Sequence, residues 1–167
     1  MFILKELRFI SFSFAFKLLS IVFNEFKLRE CKMEDSNSFE TKLAIREVLD
    51  KYCDGVNQRD SEIWGSTWSK NAIWEIPHLE IKNEGRDNIV MIWSEAMKGY
   101  PFVHMIAQPG FISINGDEAT MRSYTLETAV LPDGTEIHPC GQYDDKLILE
   151  DGEWKFSYRS FKNLHGE

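Results

Sequence analysis

The stretch FVHMIAQPGFISINGDEATMRSYTLETAVLPDGTEIHPCGQYDDKLILEDGEWKFSYRSFKNL, residues 102–164, decides the fold. Three turn signals, Asn115-Gly116-Asp117, Pro132-Asp133-Gly134 and Asp151-Gly152-Glu153, cut it into four runs rich in β-branched and aromatic residues. Glycine tolerates positive φ, and Asn and Asp bond back onto their own backbone, so the runs are expected to pair as an antiparallel meander. In the last run Trp154, Phe156 and Tyr158 alternate with Lys155, Ser157 and Arg159. That period of two predicts one apolar face and one solvated or pocket-lining face.

The half before the meander reads as helical. Ile45, Val48, Leu49, Tyr52 and Val56 recur at three- and four-residue steps, predicting an amphipathic helix from Phe39 to Asn57, with Asn37 and Glu40 as a capping pair. Asp60 or Ser61 caps a short second helix carrying Trp64 and Trp68. Ala72 to Ile76 is a strand closed by Pro77, with Leu79 to Lys82 as its hairpin partner. Gly85-Arg86-Asp87 leads into a third helix, Asn88 to Lys98, with Ile89, Ile92, Trp93 and Met97 inward, ended by Gly99 and Pro101. Helices followed by long strands are the order of an α+β domain whose curled sheet wraps around helices.

The chain has 167 residues and a net charge of −8, room for one domain. The first 32 residues carry six Lys/Arg and three Asp/Glu, whereas the remaining 135 carry 13 and 24. An acidic body without a basic stripe argues against nucleic acid and anionic membranes as partners. The leader's apolar runs, Phe9 to Phe16 and Leu18 to Phe23, are far short of the ~20 residues a membrane-spanning helix needs. Residues 1–32 are therefore expected to lie outside the fold, with Met33 as the natural start and 33–167 as the domain; the alternative for the leader is a weak membrane-associated amphipathic segment. Cys31, Cys53 and Cys140 form no C-x-x-C pair, which fits a reducing cytoplasm rather than a disulfide framework. No phosphate-binding glycine loop, nucleophile elbow or H-E-x-x-H is present, and His138-Pro139-Cys140 is too sparse for a metal, so neither cofactor nor metal is expected.

Taken in order, several short signals carry a resemblance. They are Ile45 to Asp60 with Tyr52 and Asp54, the aromatic run Trp64 to Trp74, Gly85-Arg86-Asp87, and Val103-His104-Met105. Ala119 to Tyr124 and Gly141-Gln142-Tyr143-Asp144 running into Gly152-Glu153-Trp154 complete the series. Over Phe39 to Phe161 the chain resembles the SnoaL-like branch of the nuclear transport factor 2-like superfamily. The resemblance implies a conical barrel of strongly curved mixed or antiparallel sheet packed on three helices, a mostly apolar pocket, and homodimers or homotrimers. Among enzymatic relatives, scytalone dehydratase and the bile-acid 7α-dehydratases look closest in layout. Those lyases remove water from a carbocyclic substrate with a His, a Tyr and a carboxylate inside the cone.

The resemblance places a catalytic role on His104, whose imidazole can take and return a proton near neutral pH. On the inward stripe of the first helix, Tyr52 could polarise a substrate carbonyl, and Glu127 could orient His104. Tyr143, Arg159 and Trp74 are candidates to line the substrate, with Arg159 suited to a ligand carboxylate; Asp144 is a further strand candidate. Asn57 departs from the family, which has Asp five residues after the helix Tyr. An amide is neither acid nor base, but it can position a hydroxyl or water. Asp54, two residues after Tyr52, points elsewhere on the helix and suits a pairing with Arg86 or a local cap. The expected function is a cofactor-independent lyase or isomerase acting on a small cyclic apolar molecule. The alternative is a non-catalytic ligand-binding module or a partner subunit like the β-subunit of a ring-hydroxylating oxygenase.

Overall fold

A computed structural model describes residues 38–166, together with Phe23 and Lys27 in helical backbone. The proposed leader, the Met33 start, the Asn37 cap and Cys31 lie outside the described residues. The chain divides into two compact units, Met1–Thr41 and Lys42–Glu167; of the first, residues 38–41 are helical, and the rest of the description concerns the second.

Helix α1 occupies 38–58, and Ile45, Val48, Leu49, Tyr52 and Val56 form its buried stripe as the periodicity predicts. Arg59, at φ 56°, stops it, and Asp60 N–H donates back to the Gly55 carbonyl at 2.9 Å. The Asp60 carboxylate then caps α2 (Ser61–Ser66), accepting from the Glu62 and Ile63 N–H groups at 2.9 Å each. α2 is shorter than expected. The Thr67 hydroxyl donates to the Trp64 carbonyl at 2.7 Å, and Trp68 already begins strand β1 (Trp68–Ile76). Pro77 ends β1 in a single 3-10 turn, after which β2 (Ile81–Glu84) pairs back antiparallel, two residues later than the sequence suggests. Gly85, at φ 82°, supplies the backbone that enters α3 (Arg86–Lys98). Asp54 is exposed, and Arg86 pairs with Asp87 at 3.6 Å instead.

The meander forms as read: β3 (Phe102–Asn115), β4 (Glu118–Val130), a two-residue β5 (Glu136–Ile137), β6 (Cys140–Glu150) and β7 (Glu153–His165). Sheet order is β2-β1-β7-β6-β4-β3, with β5 on β4; every neighbouring pair is antiparallel except β1 with β7, which is parallel. The result is a curled mixed sheet closed by three helices, an α+β cone. Four tryptophans anchor it. Trp64 stacks on Trp93 with ring centroids 4.5 Å apart and packs edge-on against Trp68 and Trp74, joining α2, α3 and β1.

Candidate functional site

Strand alternation decides which side chains enter the cone. On β4, Ala119, Met121, Ser123, Thr125 and Ala129 are buried, and Glu127 shares their face. On β6 the inward set is Gly141, Tyr143, Asp145 and Leu147. On β3, Val103 and Met105 take the inward positions.

On β7 the alternation breaks. Lys146 pairs with Tyr158 and Leu147 with Phe156, so Ser157 is an extra residue and the strand bulges. Before the bulge Phe156 faces inward; after it Arg159 does, and both are fully buried. Tyr158 is turned out, its hydroxyl donating to Glu75 at 2.8 Å. One inserted residue has moved an arginine from the solvated face into the core.

Arg159 is held on all sides. Its Nε donates to Asp145 Oδ1 at 2.8 Å, and Nη2 donates to Asp145 Oδ2 at 3.2 Å and to the Ser123 hydroxyl at 3.0 Å. Ser123 in turn donates to Asp145 at 2.8 Å. The rings of Tyr143, Phe156 and Tyr52 surround the guanidinium with centroids 4.0, 4.1 and 4.2 Å from its carbon. Burial works against the Arg159 charge, but the Asp145 carboxylate more than offsets this and keeps its pKa above the ordinary value. For Asp145 burial raises the carboxyl above its ordinary value, while the two-point contact with Arg159 and the Ser123 hydroxyl pull the other way. Nη1 has no acceptor among the described residues.

Glu127 lies close enough to this cluster for charge to be felt between it and Arg159, Tyr52 and Tyr143. Burial raises its carboxyl above the ordinary value, with Thr125 and Arg159 pulling the other way. Burial also raises both phenols, so Tyr52 and Tyr143 are neutral hydrogen-bond donors. Tyr52, Glu127, Tyr143 and Arg159, four residues named from the sequence, thus meet in one aromatic-walled interior. Trp74 is half-buried in the tryptophan cluster, beside Arg159 in the β1–β7 pairing. Asp145 and Ser123 were missed. Their signal was the period-two pattern of β6 and β4, which places Asp145 with Tyr143 and Ser123 with Met121.

Three expectations are corrected. His104 is exposed on the outer face, opposite Thr128, because its neighbours Val103 and Met105 fill the inward positions. Glu127 points inward, across from Met105, so Glu127 does not orient His104. The Asn57 amide is already spent: Nδ2 donates to the Met105 carbonyl at 2.9 Å, and Met105 N–H donates to Oδ1 at 2.7 Å. An amide is the side chain that matches a donor and an acceptor of one backbone residue, and here it clamps α1 to β3. Asp144 also lies outside, exposed and paired with Arg122 at 3.1 Å. Cys53 is held as a neutral thiol, pushed up to about 11 by burial.

Among the described residues no group of three or more His, Cys, Asp or Glu is arranged to hold a metal ion, and no helix is long and apolar enough to cross a membrane. The fold and site together define an α+β cone with a polar cluster enclosed by aromatic rings. Over residues 37–160 the chain matches the model of the SnoaL-like domain, and it belongs to that family. No curated protein sequence matches it. Among solved structures it is similar to a type 2 hexachlorocyclohexane dehydrochlorinase (LinA), at 18% identity over 80% of this chain and 91% of that one, with a TM-score of 0.72. It is also similar to a scytalone dehydratase-like protein of Novosphingobium aromaticivorans, at 20% identity over 80% and 89%, with a TM-score of 0.71. An aromatic ring hydroxylase-like protein of the same organism matches at 19% identity over 77% and 94%, with a TM-score of 0.67. At these identities the likeness carries the fold.

Proposed function

We propose that this chain binds a small cyclic, largely apolar molecule in its cone and acts on it as a cofactor-independent lyase or isomerase, with Glu127 moving the proton. One observation supports the reading above others: an inward carboxyl lifted by burial shares its interior with Arg159 and two neutral phenols. A desolvated carboxylate is a stronger base than one in water, and its neutral form can give the proton back. Glu127 takes a proton from the carbon next to a substrate carbonyl, and the electron pair moves to the carbonyl oxygen. Tyr52 or Tyr143 donates a hydrogen bond to that oxygen. In a dehydration the pair then expels the β-hydroxyl, which takes the proton from Glu127 and leaves as water; in an isomerisation the proton returns to another carbon. A positioned base supplies ~10²–10⁴-fold and one oxyanion donor ~10²–10³-fold, so the demand on these groups is modest. The elimination chemistry in the names of two similar structures agrees with this class of reaction.

The test is a thermal-shift and turnover screen against hydroxylated cyclic ketones, phenols and steroids, using wild type, Glu127→Gln and His104→Ala. The expected result is a ligand that stabilises all three forms and is turned over ~10²–10⁴-fold more slowly by Glu127→Gln alone. Turnover that survives in Glu127→Gln, or is lost in His104→Ala, overturns the assignment. A second reading, a ligand-binding or partner-subunit module without catalysis, is favoured by the Asn57 amide, which stands where the resemblance implies an acid and is consumed by the Met105 backbone. Stabilisation of wild type without turnover of any compound selects it.

A further inference from the structure

We infer that Phe161 sets the size of the molecule the cone admits: its ring is the wall against which a substrate rests beside Glu127. The inference deepens the proposed reaction and rests on that reading of the interior. Phe161 follows Arg159 on the same face of β7, so the bulge that turns Arg159 inward turns Phe161 inward too. It pairs with Tyr143 in the sheet, and the two rings pack with centroids 5.0 Å apart. The Phe161 ring also reaches past this neighbour. It leans over Gly141, the next inward position of β6, where a Cβ would run into the ring and come 2.7 Å from Thr125 Oγ1. Gly141 has no left-handed φ, so its backbone does not call for glycine; the ring does.

The ring thus stretches from β7 across β6 to Thr125 on β4, the register partner of Gly141. Thr125 and Glu127 are successive inward positions of one strand, about 7 Å apart, which is the room a single carbocycle takes. A substrate ring whose reacting carbon reaches the Glu127 carboxyl therefore meets Phe161 at its far edge. Phe161 is also the last covered residue of β7. Asn163, the next inward position, is exposed, and the exposed His78 has its ring 6.2 Å from that of Phe161. Phe156, by contrast, is fully buried and packs against Tyr52 and Trp68, as a core ring does. Half-buried at the rim, Phe161 can be shortened without reaching the buried Arg159–Asp145 pair.

The experiment measures binding rather than turnover, by thermal shift and calorimetry on the full chain, for wild type, Phe161→Leu and Phe161→Ala. The probes are hydroxycyclohexanone, decalone and androstenedione, ketones of increasing ring number. One methylene in an apolar pocket is worth ~10–200-fold in discrimination. Wild type is expected to prefer the single ring and to bind the steroid most weakly. Phe161→Ala is expected to gain at least ~10-fold in affinity for decalone relative to hydroxycyclohexanone, with Phe161→Leu between it and wild type. Circular dichroism checks the fold, and Phe161→Leu decides alone where Phe161→Ala fails to fold. A decalone-to-hydroxycyclohexanone ratio that is the same in all three forms, or a wild type that prefers the larger probes, overturns the role of Phe161 and leaves the cone a ligand site. Probes that bind none of the forms overturn the ligand-binding reading itself, and this inference with it.

Discussion

Replacing Asn57 with Asp tests the clamp between α1 and β3. The Asn57 amide both gives and takes a hydrogen bond with Met105, at 2.9 and 2.7 Å. An ionised Asp keeps the acceptor half but turns its second oxygen onto the Met105 carbonyl, so one bond is lost and two acceptors face each other. The cost of an unsatisfied, partly buried carbonyl is ~1–3 kcal/mol. At about 3–5 °C per kcal/mol for a domain of this size, Tm falls by about 3–15 °C at neutral pH. A protonated Asp can donate to the carbonyl and restore both bonds, so the folded state favours the neutral carboxyl and raises its pKa. Stability is therefore close to wild type below the ordinary Asp range (~3.9) and falls behind as pH rises through the higher folded value. Paired thermal melts from acid to neutral pH read this directly. A wild-type Tm at neutral pH, or a deficit that does not change with pH, refutes the clamp.

Arg159→Met strands Asp145 in the core without its partner and is expected to cost ~3–5 kcal/mol in urea unfolding, while adding Asp145→Leu recovers most of the loss; equal losses contradict a true ion pair. Glu127→Gln removes a carboxyl whose folded pKa is raised by burial, so wild-type stability is fully present below the unfolded value of 4.5 and declines as pH rises through the folded one. The variant should therefore match wild type in acid and exceed it in Tm at neutral pH; a lower Tm at neutral pH contradicts the desolvated carboxyl. Gly141→Ala would set a methyl against the Phe161 ring and 2.7 Å from Thr125 Oγ1, costing ~1–3 kcal/mol, and Phe161→Ala should relieve it.

The turn clusters, the Asp60 cap, the Pro77 stop and the helical stripe of α1 were legible because each rests on a local preference of one or two residues. The interior was half legible. Tyr52 follows from the helical period and Glu127 from the resemblance, with the inward face of its strand left open, but Arg159 needed the β7 bulge, and Ser157 gives no warning: it is neither Gly nor Pro, and the strand pattern runs on past it. Alternation alone therefore puts Arg159 on the wrong face and hides its bond to Asp145. For His104 the role implied by the resemblance ran against its neighbours, since Val103 and Met105 claim the inward positions. Asn57 could be recognised as a departure from the family, but its partner is a backbone 48 residues away, which no local pattern reveals.

The most direct test of an inward, proton-handling Glu127 is a carboxyl-carbon NMR titration of the folded chain, with Glu127→Gln assigning the resonance. The expected signal titrates above the ordinary 4.5 of a glutamate, as its burial requires. A Glu127 that titrates at or below that value would contradict the proposed role.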